Sequence, residues 1–331
     1  MRYIIIGAGA VGGTIGARLF ESGHEVVLVA RGAHLAALRS DGLRFTTPEG
    51  TRTIAVPAVA GPEEVALRPD DVLLLAVKTQ DTPAVLAVWA PRPVEGGGTA
   101  GELLPVVCAQ NGVENERLAL RLFRHVQAMC VWLPAGHLEP GRVTCMGAPM
   151  SGVLVLGRYP AGADGTTRAI AADLEKSVFR APVSTDALRW KYTKLLGNLA
   201  NALNAVAGPV AGELRTAVHR RAVAEGRAVL AAAGIAHEDP DEQARANGEL
   251  VRQVHRDGDE RIGGSSWQSL VRGTGTVETD FLSGEIVLLG RLHGVPAPVN
   301  EALQRLTTEF AGTGRAAGSL TDTELAALLG A

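Results

Sequence analysis

Cysteine is scarce in this sequence, and that scarcity is informative. Cys108, Cys130 and Cys145 are the three present, each in or beside an apolar, strand-like run and none in a C-x-x-C. An odd number so placed argues against a disulfide framework and fits a reducing compartment. Long basic runs are missing, and the net charge of the 331 residues is −3, which argues against nucleic acid or an anionic membrane as the main partner. No stretch of ~18 uncharged apolar residues is present to span a bilayer. The chain opens directly on a strand, so no signal peptide is expected. The eight histidines are scattered, with no H-x-x-x-H and no cysteine at ligand spacing, so no metal is expected. These absences leave a cytoplasmic, reduced, globular protein, long enough for two domains.

What is present begins at the first residues, MRYIIIGAGAVGG. Tyr3 to Ile6 has the β-branched texture of a buried parallel strand. Gly7, Gly9 and Gly12 follow at the spacing G-x-G-x-x-G, and Thr14 to Glu21 reads as a helix. In that context Gly7 permits a tight turn, Gly9 admits a pyrophosphate and Gly12 lets the helix pack on the strand. Gly7, Ala8, Gly9, Ala10, Val11 and Gly12 then aim backbone N–H groups at phosphate. Glu25 to Ala30 is a second strand, after the turn Ser22-Gly23-His24, completing a βαβ unit. No acid closes that strand, where an NAD-binding unit places one for the ribose 2′-hydroxyl. Arg31 stands there, and a guanidinium suits a 2′-phosphate. The cofactor expected is NADP(H); the alternative for Arg31 is an ordinary solvated arginine.

Leu43 to Val59 alternates around Pro48-Glu49-Gly50 as a hairpin or a pair of edge strands. Asp71 to Val77 and Leu104 to Ala109 are further buried parallel strands, followed by Lys78-Thr79-Gln80 and Gln110-Asn111-Gly112. Ligands in open α/β sheets lie beyond the carboxyl ends of the strands, which puts Lys78 and Asn111 where a cofactor or substrate would be. Each could instead cap or tether its loop. Met129 to Leu133 and Gly152 to Leu156 continue the strand texture, and near Ala181-Pro182 the texture turns helical. Helices are expected over Asp186–Ala207, Glu213–Ala233, Pro240–Asp257, Ser265–Arg272, Glu278–His293 and Pro298–Phe310. The expected layout is an α/β Rossmann-type domain with a parallel sheet, residues 1–184, followed by an all-α domain, residues 185–331. Such a two-part layout is that of a dehydrogenase.

In the helical half, Lys194, Asn198 and Asn201 fall on one face of a helix otherwise rich in leucine. A lysine there can donate a proton to a carbonyl oxygen as hydride arrives, and asparagines can hold the lysine or the substrate's oxygens. A merely wetted amphipathic face is the alternative. Ser265-Ser266-Trp267 and Val277-Glu278-Thr279-Asp280 follow, where Ser265 could cap a helix and Glu278 could favour a helix dipole.

Taken in order, the glycine loop, Val77-Lys78, Gln110-Asn111-Gly112, Lys194-x-x-x-Asn198 and Ser265-Ser266 with Glu278-x-Asp280 resemble the ketopantoate reductase (2-dehydropantoate 2-reductase) family. Gly284-Glu285 and His293-Gly294-Val295-Pro296 match its closing helix and turn. The resemblance implies NADPH-dependent reduction of a 2-oxo acid, ketopantoate to pantoate, in pantothenate biosynthesis. It makes Lys194 the general acid and Asn198 and Ser266 substrate contacts, with Glu278 at the substrate–cofactor junction. Asn111 would touch both ligands, Lys78 the cofactor and Arg31 its 2′-phosphate. Two positions depart from the family. Its second asparagine stands eight residues after the lysine, where this chain has Ala202; Asn201, one place earlier, is rotated by ~100° on a helix. Its methionine after the serine pair is Trp267. A paralogue acting on another 2-oxo acid or ketone, or a non-catalytic NADPH sensor, are the alternatives. The helical half has apolar faces enough for a homodimer.

Overall fold

A computed structural model describes residues 1–254 and 263–329. The strands are β1 Arg2–Ile6, β2 Glu25–Val29, β3 Leu43–Thr47, β4 Gly50–Ile54, β5 Ala58–Val59, β6 Asp71–Leu75 and β7 Pro105–Cys108. They continue as β8 His125–Trp132, β9 Ala135–Gly136, β10 Arg142–Cys145, β11 Gly147–Pro149, β12 Gly152–Arg158, β13 Phe179–Arg180 and β14 Val251–Gln253. An eight-stranded sheet runs in the order β13-β12-β8-β7-β6-β1-β2-β5. Neighbours from β5 to β8 pair parallel, and β12 turns antiparallel against β8. The parallel sheet is covered on both faces, as such sheets must be. Tyr3 and Ile5 of β1 point into one core with Ile15, Leu19, Leu28 and Leu74. The alternate residues Ile4 and Ile6 enter a second core with Leu73, Leu75, Leu86 and Trp89. Period-two alternation thus feeds two cores from one apolar strand.

At the opposite end from the loops, Arg2 and Asp71 stand in register on β1 and β6. Arg2 donates to both carboxylate oxygens of Asp71, at 2.7 Å each, with both residues buried. This forked pair fixes the register of the two central strands.

The helices of the first half are α1 Ala10–Glu21, α2 Gly32–Asp41, α3 Thr82–Trp89, α4 Ala100–Leu103, α5 Asn115–Leu120 and α6 Gly165–Lys176. Those that follow are α7 Ala187–Asn198, α8 Ala200–Ala207, α9 Gly212–Ala232, α10 Pro240–Leu250, α11 Ser265–Val271, α12 Ser283–His293, α13 Pro298–Thr313 and α14 Asp322–Leu329. Packing divides the described chain into two compact units: residues 1–191 with 244–254, and residues 192–243 with 263–329. In the second unit α8, α9, α12 and α13 pack together around Leu203, Val229, Ile286, Leu303 and Phe310, all fully buried. Glu225 of α9 accepts from the Val299 and Asn300 amides at the start of α13, satisfying donors that a helix start leaves open.

Three expected elements differ from the sequence reading. The helix expected over Asp186–Ala207 is two helices that part at Leu199, whose amide bonds back to Leu196 rather than four residues away. The helix expected over Glu278–His293 starts as a 3-10 turn, Glu278–Phe281, and breaks at buried Leu282 (φ −118°, ψ −90°) before α12. The helix expected over Pro240–Asp257 stops at Leu250, because the next residues pair as β14 with β11; residues 255–257 of that range lie outside the described residues. The hairpin expected in Leu43–Val59 is β3–β4, and its last two residues add to the main sheet as β5. Among the described residues no helix is long and apolar enough to cross a membrane.

Candidate functional site

The first unit gathers its candidate residues beyond the carboxyl ends of β2, β1, β6 and β7. Gly7 ends β1 with φ +103°, and a side chain there would meet the Val77 amide at 2.8 Å. Gly12 faces inward: a Cβ would lie 2.1 Å from the Gly7 carbonyl and 2.9 Å from Ile5 Cγ2. That is the helix-to-strand contact the third glycine was expected to permit. Gly9 differs. A Cβ there would find His137 Cδ2 at 3.9 Å and no nearer neighbour, so the backbone at Gly9 borders open space.

Gly9 is the N-cap of α1, with no side-chain cap and no acid in the first turn. The first helical bond runs from the Gly13 amide to the Gly9 carbonyl at 2.7 Å. The amides of Ala10, Val11 and Gly12 therefore precede the ladder, at the positive end of the helix dipole. This cradle fits a pyrophosphate. His34 braces it. Its Nδ1 accepts from the Gly141 amide at 2.9 Å, so Nε2 carries the proton and donates to the Ala8 carbonyl at 2.8 Å. The ring lies 4.3 Å, centroid to centroid, from that of His137.

Arg31 is the N-cap of α2, which also begins without a side-chain cap or an acid. Its guanidinium is exposed and lies 3.2 Å from Asp81, in the turn after Lys78. Lys78 and Asn111 are both half-buried, in the loops after β6 and β7. Those loops are joined by Asn115 at the start of α5. Its amide accepts from Thr82 Oγ1 at 2.8 Å and donates to Thr79 Oγ1 at 3.1 Å and to the Asn111 carbonyl at 3.4 Å. Gln110 in turn donates to Thr82 Oγ1 at 3.0 Å. Next to Asn115, buried Glu116 is ion-paired with buried Lys191. The thiol of Cys108 is pushed up by burial, and the Glu116 carboxylate adds to that shift.

In the second unit Lys194 and Asn198 stand one turn apart on α7, both half-buried. Asn201 lies beyond the break, on α8, where a Cβ at Gly264 would sit 2.9 Å from its Oδ1. It therefore faces the segment that leads into Ser265 and Ser266 on α11. The backbone of Gly263 packs on the indole of Trp267: a Cβ at Gly263 would lie 2.6 Å from Trp267 Cδ2. Asn201 and Trp267 thus border one glycine pair. Glu278 is buried, and its carboxylate interacts with the Arg272 guanidinium. Burial lowers the Arg272 pKa, and Glu278 opposes that shift.

Asn198 Nδ2, Ser265 Oγ, Ser266 Oγ, Thr279 Oγ1 and Ser283 Oγ are buried without a hydrogen-bond partner among the described residues. Native interiors leave few such groups; others lie elsewhere, among them Gln110, Asn204, His219 and Asn300, but those on α7, α11 and the Glu278–Ser283 stretch fall on the residues expected to meet a polar ligand. Sequence reasoning did not find Asn115, Asp81, His34 or Arg272. Of these, Asn115 alone carries a local signal, four residues after the Asn111 of Gln110-Asn111-Gly112.

An α/β unit with a phosphate cradle and a helical unit with unsatisfied buried hydroxyls and amides are the parts of a nucleotide-dependent enzyme, and the matches that follow define its class as an NAD(P)-dependent oxidoreductase acting on CH–OH groups. The family model described as ketopantoate reductase PanE/ApbA matches residues 3–161, and its C-terminal counterpart matches residues 186–311. The chain belongs to the ketopantoate reductase family. It is 30% identical over 312 residues to a 2-dehydropantoate 2-reductase of Archaeoglobus fulgidus, covering 92% of this chain and 96% of that one. Its fold matches the PanE/ApbA family ketopantoate reductase of Ralstonia eutropha JMP134 with a TM-score of 0.77 and 30% identity, covering 95% of this chain and 100% of that one. A D-mandelate dehydrogenase, solved with NADH and anilino(oxo)acetate, shares the fold at a TM-score of 0.79 and 21% identity, over 96% of this chain and 100% of that one.

Proposed function

We propose that this protein reduces 2-dehydropantoate (ketopantoate) to pantoate at the expense of NADPH. The observation that carries this reading is the set of unsatisfied buried groups, Asn198 Nδ2 and Ser266 Oγ foremost, beside a lysine one turn away. Amide and hydroxyl donors of that kind suit the carboxylate and carbonyl oxygens of a 2-oxo acid. The names of the curated relatives support the same substrate.

Bound at this cradle, a reduced nicotinamide would supply the hydride that the ketone carbon takes up. The Lys194 ammonium gives its proton to the ketone oxygen as negative charge develops there, so the product is an alcohol. Asn198 and Ser266 hold the substrate's oxygens, with Asn201 lining the same site through the Gly264 turn. Glu278 borders substrate and cofactor and steadies the local cation charge. Asn111 touches both ligands. On the cofactor side the amides of residues 10–12 take the pyrophosphate, Lys78 adds a positive charge, and Arg31 with the start of α2 takes the 2′-phosphate.

A second reading keeps this chemistry and changes the acid. Trp267, packed on Gly263 next to Ser266, favours it, because a rigid indole where the family has methionine reshapes the space available to the substrate's side chain. Following NADPH absorbance across a panel of 2-oxo acids that includes ketopantoate separates the two. Fastest turnover with ketopantoate supports the first reading, and a preference for another acid supports the second. Nucleotide binding with no turnover on any member would leave a sensor.

A further inference from the structure

We infer that Asn115 is a positioning residue for cofactor binding: its buried amide locks together the two loops that present Lys78 and Asn111, a role that rests on the nucleotide reading given above. The residue touches neither ligand in that reading and is fully buried. Both of its polar atoms reach the 79–82 turn, and one of them also reaches the loop after β7. Oδ1 accepts from Thr82 at the start of α3, while Nδ2 donates to Thr79, next to Lys78, and to the backbone carbonyl of Asn111 itself. Gln110 closes the ring by donating to Thr82.

Few side chains could replace it. The site requires an acceptor and a donor on one short planar group, and asparagine alone offers both at that length. Aspartate lacks the donor, and leucine lacks both. Because water cannot reach the amide, a lost bond leaves its partner unsatisfied rather than hydrated. The strands β6 and β7 are neighbours in the sheet, but their ladder ends before the loops begin. Beyond it, Asn115 holds residue 79 and residue 111 in fixed relation.

The test compares two buried asparagines. Asn115→Leu keeps the γ-branched shape in a somewhat larger side chain and removes all three bonds. Asn300→Leu removes the bonds that Asn300 makes to Ala222 and Glu225 in the second unit. Both variants are expected to melt at lower temperature. Well below either transition, NADPH affinity read from nucleotide fluorescence should fall roughly tenfold in Asn115→Leu, the scale of a lost interior hydrogen bond and the misplacement that follows. It should be unchanged in Asn300→Leu. Hydrogen exchange of the ligand-free protein should accelerate at residues 78–80 and 110–112 in the first variant and not in the second. A folded Asn115→Leu with affinity within about twofold of the parent and unaltered exchange in both loops overturns the inference. If Asn115→Leu does not fold, Thr82→Val removes two bonds of the ring while keeping shape, and the same readouts apply, with an unchanged affinity counting against the role. If the parent protein binds neither NADPH nor NADH, the nucleotide reading fails instead. Exchange in the two loops then decides the positioning role alone, faster exchange supporting it and unchanged exchange overturning it.

Discussion

Arg31 Nη2 stands 3.2 Å from Asp81 Oδ2, tying the end of β2 to the turn after Lys78. Arg31 is 88% exposed, and an ion pair so exposed is worth little in itself. The guanidinium thus rests on an exposed carboxylate from which a stronger anion can draw it. Arg31→Ala should cost about 1.5–3 kcal/mol of NADPH binding, the range for hydrogen bonds to charged groups, and leave NADH binding nearly unchanged. Asp81→Asn removes the competing carboxylate and should tighten NADPH binding by a small factor. Fluorescence titration with both nucleotides measures this, and equal loss for NADH and NADPH in Arg31→Ala would refute the 2′-phosphate role.

Lys194→Ala should lower turnover by roughly 10²–10⁴-fold, as loss of a general acid does, while NADPH affinity holds. Stopped-flow or steady-state absorbance gives the rate, and titration gives the affinity. Turnover near that of the parent would remove Lys194 from the mechanism. Lys191 is no substitute, because it is buried against Glu116.

Gly9 and Gly12 should separate binding from folding. At Gly12 a methyl group would strike the Gly7 carbonyl from 2.1 Å, so Gly12→Ala should destabilise the protein by ~1–3 kcal/mol or more. At Gly9 the methyl would make one ordinary contact, with His137 Cδ2 at 3.9 Å, so Gly9→Ala should melt with the parent protein and bind nucleotide poorly. Thermal melts beside NADPH titrations distinguish the two. A normal Tm for Gly12→Ala would contradict the close packing.

Much of the first unit was legible because its strands are continuous apolar runs and its glycines sit at turn and packing positions. Helix α2 was not foreseen: Leu38 is its one fully buried residue, so little periodicity marks it. The breaks at Leu199 and Leu282 were invisible for the opposite reason, since helical spacing runs through both and packing sets where each bends. Strand β14 exists through its pairing with β11, which nothing near Val251 announces. The candidate site divides the same way. Lys78, Asn111 and Ser266 stand out by motif, whereas Asn115 matters through Thr79 and Thr82, which are more than thirty positions away.

Asp71→Asn should destabilise the first unit by ~3–5 kcal/mol, the cost of leaving a buried charge without its partner. Arg2 would keep its contact with the Ala66 carbonyl but lose the carboxylate. Denaturant unfolding measures the loss. A change under 1 kcal/mol, the scale of a surface pair, would mean the pair does not hold the strand register.

Glu324 supplies a pH test. Its carboxylate accepts from the Thr321 amide, from Arg315 and from the Thr321 hydroxyl, which together lower its pKa from 4.5 to about 2. A depressed carboxylate stabilises the fold above its unfolded pKa, and that contribution is lost as pH falls toward the folded value. The Tm difference between the parent and Glu324→Gln should therefore be constant above about pH 5, shrink as pH falls toward 2 and vanish below it. A difference undiminished between about pH 5 and pH 2 would show that the charge is not what matters.

The chain leaves the first unit at Lys191 and comes back to it at Ala244, bringing β14 to the edge of β11. During synthesis, the nucleotide-binding half is therefore unfinished when its last long stretch leaves the ribosome, and β11 waits for some sixty further residues. A gene cut after Lys191 would encode a unit with an open strand edge, prone to recruit another chain in place of its own. The second unit is thus begun before the first is finished, and the first closes its β11 edge only when β14 follows the return at Ala244.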